Sequence, residues 1–291
     1  MRNLLDSIEK ITLMGPGPSC VTDEVYKAMA QPTLGHMDGE FIKIMDGIKE
    51  MQQVVMATQN RLTVPISGTG SAGMETCFVN LIEPNDAVLI LKNGVFGNRM
   101  FDVASRLGAQ VDAVDAPWGS PIDPAKVKQQ LTKKSYKIVA IVHAETSTGV
   151  RNPIEEVAKL VHQTDALYLV DAVTSLGGIP VPTDELGIDA IYSGTQKCLS
   201  CPPGLSPVSF SEKAVTAITN RKTKVPNWYL DMNMIIQYWN GANRVYHHTA
   251  PINMLYGLYQ SLYLILEEGL DNVYARHMKY HTMLVKELEG I

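Results

Sequence analysis

Three stretches of the sequence carry residue types that can do chemistry together. Ser193-Gly194-Thr195-Gln196-Lys197 places a lysine among small and polar residues just past a β-rich run. A lysine with little room to reach water loses part of its preference for the charged form, and its amine becomes a usable nucleophile. Taken singly, Lys197 also fits an ordinary surface lysine. Leu169-Val170-Asp171-Ala172-Val173 ends an apolar run on one carboxylate, 26 positions before that lysine. A buried carboxylate is costly unless compensated, so Asp171 should face a cation, although a capping or salt-bridged role fits it too. Ser67-Gly68-Thr69-Gly70-Ser71-Ala72-Gly73 joins a β-rich run to a helical one. Amides at a helix start, with the hydroxyls of Thr69 and Ser71, make a phosphate cradle.

Gly68, Gly70 and Gly73 also satisfy G-x-G-x-x-G, the dinucleotide fingerprint. That motif wants an acid about 20 positions on, at the end of the next strand, to hold a ribose hydroxyl. Here the next run, Ala87–Leu91, ends in Lys92-Asn93-Gly94, while Glu83 and Asp86 precede it. The dinucleotide reading fails at its most informative position; a phosphate cradle or an unliganded glycine turn remains. A phosphate cradle, a carboxylate and a desolvated lysine are together what pyridoxal phosphate requires of a protein. The lysine forms a Schiff base with it, the carboxylate keeps its pyridine nitrogen protonated, and the lysine then serves as general base and acid.

The elements that must position these residues are legible from periodicity. From Arg61 to Phe210, short β-rich runs alternate with amphipathic ones. Strands are expected over 61–67, 87–93, 110–114, 137–143, 166–171, 190–193 and 206–210, and helices over 71–82, 97–107, 124–131 and 153–162. Ile138–Val142 and Leu167–Val170 are apolar at nearly every position, as in strands buried on both faces of a parallel sheet. The class is therefore α/β, doubly wound, with ligands expected at the carboxyl ends of the strands. Helices are expected before this block, over 23–30 and 40–59, and after it from Asn253 onward, with a stop at Gly269.

Composition narrows the partners. The 291 residues are 45% hydrophobic and 19% charged, with a net charge of −5. Without a basic excess there is no reason to expect a nucleic-acid partner, and Arg221-Lys222-Thr223-Lys224 reads as a solvated loop. No apolar run approaches the roughly 20 residues of a membrane span, and no secretory signal core is visible, so the cytoplasm is the expected compartment. Four cysteines make no disulfide framework. Cys198 and Cys201 form a C-x-x-C pair without a second ligand pair, and Pro202-Pro203-Gly204 suggests a turn where a redox motif would open a helix. His247-His248 does not suit one ion, and no metal is expected.

The order of motifs resembles the class V branch of the fold-type I pyridoxal-phosphate enzymes, above all the alanine–glyoxylate and serine–pyruvate aminotransferase group. The similarity runs through Gly15-Pro16-Gly17-Pro18, Leu34-Gly35-His36, Ser67–Gly73, Glu145-Thr146-Ser147-Thr148-Gly149 and Val170-Asp171. It continues through Ser175-Leu176-Gly177-Gly178, Ser193–Lys197, Pro202-Pro203-Gly204 and Tyr246-His247-His248-Thr249. The resemblance implies a large domain with a mostly parallel seven-stranded sheet sandwiched by helices. It also implies an aminotransferase that moves an amino group from alanine or serine to glyoxylate or pyruvate. Lys197 would form the Schiff base and Asp171 would partner the pyridinium nitrogen. Thr69, Gly70, Ser71 and Gln196 would hold the phosphate, Phe96 would stack on the ring, Val173 would pack its other face, and Thr146 would bond its phenolic oxygen. Tyr246 and Thr249 would reach the phosphate of a neighbouring subunit, giving a homodimer with shared sites. Gly17 and His36 would lie on the substrate side.

Two alternatives stay open. Ureidoglycine–glyoxylate aminotransferases share Glu-Thr-Ser-Thr-Gly and Thr-Gln-Lys-Cys-Leu-Ser, with His36 leaning toward the alanine or serine group. A cysteine desulfurase would need a late loop cysteine, and none follows Cys201. The group usually carries a small C-terminal domain with an arginine for the substrate carboxylate. Arg276 is not in a matching position, so a non-catalytic fragment is the other alternative. The expected organisation is an N-terminal arm over 1–20, a large domain over 21–250, and over 251–291 a linking helix with the start of a truncated small domain.

Overall fold

Strand and helix alternate from Leu62 to Phe210 because apolar runs of five or six residues are separated by glycine, proline and aspartate punctuation. The computed structural model describes residues 3–9, 11–239 and 244–290. A short 3-10 turn, Leu4–Ser7, precedes α1 (Asp23–Met29) and α2 (Gly39–Val55). The alternating block then runs β1 (Leu62–Ser67), α3 (Gly70–Leu81), β2 (Ala87–Lys92), α4 (Val95–Arg106), β3 (Gln110–Asp115), α5 (Pro124–Leu131) and β4 (Ile138–Val142). A hairpin of two-residue strands, β5 (Ala144–Glu145) and β6 (Val150–Arg151), leads to α6 (Ile154–Val161), β7 (Leu167–Asp171), β8 (Ala190–Tyr192) and β9 (Leu205–Phe210). Helices α7 (Glu212–Thr219), α8 (Met232–Trp239), α9 (Ile252–Glu268) and α10 (Leu270–Leu288) follow.

The large sheet has seven strands in the order β1-β9-β8-β7-β4-β2-β3. Only β9 runs against its neighbours; every other pair is parallel. The expected mostly parallel sheet is therefore present, and β1, β2, β4, β7 and β8 all point their carboxyl ends to one edge. Strands β4 and β7 are buried at every position, as their unbroken apolar runs require. The chain places β3 on one side of β2 and β4 on the other, which opens a crevice at the carboxyl edge where such sheets bind ligands.

Two departures from the sequence reading have local causes. Helix α2 stops at Val55, short of 59, because Ala57 turns into the left-handed region (φ 49°). The Asp184 carboxylate then takes hold of the chain, accepting from the Gln59 amide at 2.7 Å and from the Thr58 hydroxyl. Helices α7 and α8 were not anticipated; α7 starts at a Ser211 side chain that accepts from the Ala214 amide. At the end of the chain, Gly269 (φ 85°) separates α9 from α10, as its type and place suggested. Helix α9 buries Leu255, Leu258, Leu262 and Ile265 and packs on α1 and α2, whereas α10 buries only Val273 among its described residues. No helix among the described residues is long and apolar enough to cross a membrane.

Candidate active site

Lys197 sits on a loop that leaves β8 and is tied at both ends. The Thr195 hydroxyl donates to Pro202 O at 2.7 Å, and the Ser200 amide to Lys197 O at 3.0 Å. The N-terminal segment crosses over it: the Ser19 amide donates to Gln196 O at 2.8 Å and the Ser19 hydroxyl to Lys197 O at 2.7 Å. The Lys197 amine itself donates to Pro16 O at 2.7 Å. Gly17 lies flush against it; a Cβ there would stand 2.6 Å from Nζ, and its φ of 127° strains any other residue. Burial lowers the Lys197 pKa, with the fields of Cys198 and Asp171 opposing in part. The amine thus carries more of its neutral, nucleophilic form than a surface lysine.

Asp171 closes β7 and is only 3% exposed. Its Oδ1 accepts from the Val173 amide at 2.8 Å, and its Oδ2 from the Tyr192 hydroxyl at 2.7 Å. Burial pushes its pKa up to about 6; Tyr192 and the Val173 amide pull it down, Glu145 adds to the rise, and Arg99 opposes it. It is a carboxylate at neutral pH, held in a poor place for charge and ready to gain from a cation.

The third component is the start of α3. Thr69 occupies its N-cap but spends no side-chain bond on the helix, and the Gly70 and Ser71 amides precede any intrahelical partner. Gly73 lets the helix seat on β9, since a Cβ there would overlap the Ser206 side chain. Arg99 Nη1 donates to Ser71 Oγ at 3.2 Å, and its guanidinium lies 4.8 Å from the Phe96 ring centre. Gln196 Oε1 is buried without a hydrogen-bond donor.

Eight of the residues singled out in the sequence line one cavity of roughly 200 Å³: Thr69, Gly70, Ser71, Phe96, Asp171, Val173, Gln196 and Lys197. Gly17 borders it through its contact with Lys197. The others lie elsewhere in this chain. The Thr146 hydroxyl stands 2.9 Å from that of Thr174, which donates to Ala144 O at 2.7 Å. The Tyr246 and Thr249 hydroxyls are 3.3 Å apart, with Tyr246 54% exposed, and the His36 ring lies 5.0 Å from the Tyr246 ring. His247 and His248 face each other through Nδ1 atoms 2.8 Å apart, and burial, with the His247 ring beside it, holds His248 down at about 4. All four cysteines are free. Among the described residues no group of three or more His, Cys, Asp or Glu side chains is placed to hold a metal. Arg276 forms a two-pronged pair with Glu268, 2.7 and 2.9 Å, and is not among the residues that line this cavity.

Sequence reading missed Met74, Arg99 and Tyr192, which also line the cavity, and Glu145, whose field acts on Asp171. Glu145 is buried and accepts from the Gly97 amide at 3.2 Å and the Ser147 hydroxyl at 2.7 Å, so its side chain caps the start of α4. Signals existed: Arg99 follows Phe96 at helical i,i+3 spacing, and Tyr192 precedes the lysine loop.

These groups fit pyridoxal phosphate. Free helix-start donors and the Arg99 cation suit a phosphate, the Asp171 carboxylate suits a pyridinium, and an amine made less basic by burial suits an aldehyde. The family model described as aminotransferase class-V matches residues 19–291. Alanine–glyoxylate aminotransferase of Rattus norvegicus is 42% identical over 287 residues, 98% of this chain and 69% of that protein. The crystal structure of alanine–glyoxylate aminotransferase from Nostoc sp. matches at a TM-score of 0.93 and 44% identity, covering 100% of this chain and 78% of that one. Ureidoglycine–glyoxylate aminotransferase from Bacillus subtilis matches at 0.91 and 39%, over 93% of this chain and 70% of that one. On this agreement of cleft and kinship, the chain belongs to the class-V aminotransferases and is a pyridoxal-phosphate-dependent transaminase.

Proposed function

We propose that this transaminase moves an amino group from a small amino acid, alanine or serine, to glyoxylate or pyruvate. One observation carries the chemistry: the Lys197 amine and the Asp171 carboxylate share a single cavity with the phosphate-type donors at the start of α3. The substrate class rests on relatives at 42% and 44% identity that are alanine–glyoxylate aminotransferases. Ureidoglycine as donor is the second reading, favoured by a relative from Bacillus subtilis at 36% identity.

When bound, pyridoxal phosphate would supply an aldehyde that takes up amines and a ring that draws electron density from the substrate's Cα. The residues of this chain do the rest. Thr69, Gly70, Ser71 and Gln196 would hold the phosphate, and Asp171 would keep the pyridine nitrogen protonated. Phe96 and Val173 would flank the ring, and Thr146 would support its phenolic oxygen. Lys197 would carry the proton between the substrate's Cα and the cofactor's C4′. Gly17 and His36 would face the substrate, Gly17 by its contact with Lys197 and His36 through its neighbour Tyr246. Tyr246 and Thr249 lie outside the chain's own cavity and would serve the phosphate of a second copy, in a homodimer. The proposed organisation is an arm over 1–20, a large domain over 21–250 and, over 251–291, the linking helix and start of a small domain. We place the enzyme in the cytoplasm, with neither nucleic acid nor membrane as partner; its free cysteines suit that compartment.

The test is a donor screen on the cofactor-loaded protein, following the visible spectrum with alanine, serine or ureidoglycine and then restoring it with glyoxylate or pyruvate. Alanine or serine should convert the cofactor fastest. A spectrum that none of the three alters would overturn the proposal, and a preference for ureidoglycine would select the second reading.

A further inference from the structure

Asp171 and Tyr192 are direct partners in the parallel β7–β8 ladder, so their side chains leave the same face of the sheet side by side. Both line the cavity, and Tyr192 is 1% exposed. A buried phenol must place its proton on an acceptor, and here it places it on Asp171 Oδ2 at 2.7 Å. A carboxylate has about four lone-pair sites. The Val173 amide uses one on Oδ1 and Tyr192 one on Oδ2, which leaves one on each oxygen. We propose that Tyr192 is a positioning residue for the cofactor: its hydroxyl fixes the orientation and the charge of the Asp171 carboxylate, so that the free lone pairs serve the pyridinium. This inference rests on the reading of Asp171 as the pyridinium partner.

The charged and titratable groups facing Asp171 come from four other elements. Cys77 from α3 keeps its proton, because burial pushes its thiol far up. Glu145 from β5 repels the carboxylate, Arg99 from α4 attracts it across an exposed rim, and Lys197 attracts it from the loop. The Val173 donor is backbone. Tyr192 is therefore the buried side chain whose removal changes the state of Asp171 without touching a formal charge.

The experiment is an infrared titration of the protonated-carboxyl band of Asp171 in apo-protein, isolated by subtracting the spectrum of Asp171→Asn. Tyr192→Phe keeps the ring and removes the bond. Its midpoint should rise by about one pH unit, a tenfold loss in the ratio of carboxylate to acid at fixed pH. Pyridoxal-phosphate affinity should fall several-fold near pH 6 and converge on wild type as pH rises. An unmoved midpoint, or an affinity loss equal at every pH, overturns the inference. If Tyr192→Phe does not fold, difluorotyrosine placed at 192 is a stronger donor and should lower the midpoint; no change there overturns it equally. Undiminished affinity and an unaltered bound spectrum in Asp171→Asn would instead sink the reading of Asp171 itself.

Discussion

The cleft has an inner wall and an outer rim, and they work by different physics. On the wall, Asp171 and Tyr192 are almost fully buried and 2.7 Å apart. On the rim, Arg99 is exposed and reaches Ser71 at 3.2 Å across the Phe96 ring. A hydrogen bond in the wall acts in a poor dielectric, where it decides whether a proton stays or leaves. A cation on the rim is screened by water and salt, and contributes attraction more than tuning. Reactivity is thus set by depth, and capture of the anionic end of the cofactor by the rim.

Substitutions can break or sharpen this contrast. The largest effect should come from Lys197→Ala, which removes the proton carrier: turnover should fall about 10²–10⁴-fold or more while the cofactor still enters the cleft, as stopped-flow absorbance can show. Retained turnover would break the contrast at its centre. Next is Asp171→Asn. The wild-type carboxyl titrates at about 6 when folded and near 3.9 when unfolded. The folded state therefore binds the extra proton, and Asp171 costs stability progressively as pH rises from about 4 to 6. Asn removes that cost, so apo-protein should gain up to about 3 kcal/mol above pH 6 and nothing below pH 4. Cofactor affinity should drop at the same time; melting curves across pH and a binding titration read both.

Glu145→Gln should produce a smaller change that links the two regions. Weakening the Glu145 cap of α4 should cost about 1–2 kcal/mol in thermal or urea unfolding. The Asp171 midpoint should also move down, because Glu145 repels it. A midpoint that stays put would show the α4 cap and the wall to be electrostatically independent. The smallest effect belongs to Arg99→Ala, worth about 1 kcal/mol or less in cofactor affinity and fading as salt is raised. A loss that ignores salt would place Arg99 functionally on the wall.

The alternating architecture could be read from the sequence because each buried strand carries an unbroken apolar run, as Ile138–Val142 and Leu167–Val170 do. Lys197, Asp171 and the Thr69–Ser71 turn were legible for a related reason: each ends a buried strand or follows one within a few residues, and the ends of parallel strands meet at one edge. Tyr192 was hidden because its significance lies in strand register, and pairing with Asp171 is a property of two segments at once. Glu145 was hidden because a hairpin of two-residue strands leaves no periodicity to read. Helices α7 and α8 were hidden because they follow β9, outside the strand–helix alternation that announced the equally short α5 and α6.

The bond from Lys197 to Pro16 joins residues 181 apart in sequence. Closing so long a segment is entropically unfavourable until the intervening sheet has formed, so this contact belongs late in folding. During synthesis the segment at 16–19 must wait for almost two hundred more residues before its partner exists. The reactive amine is then delivered into a finished cleft, with a carbonyl already placed to receive it. Pulse labelling of amines during refolding should find Lys197 shielded only after the sheet amides are protected, which makes readiness for the cofactor a mark of completed folding.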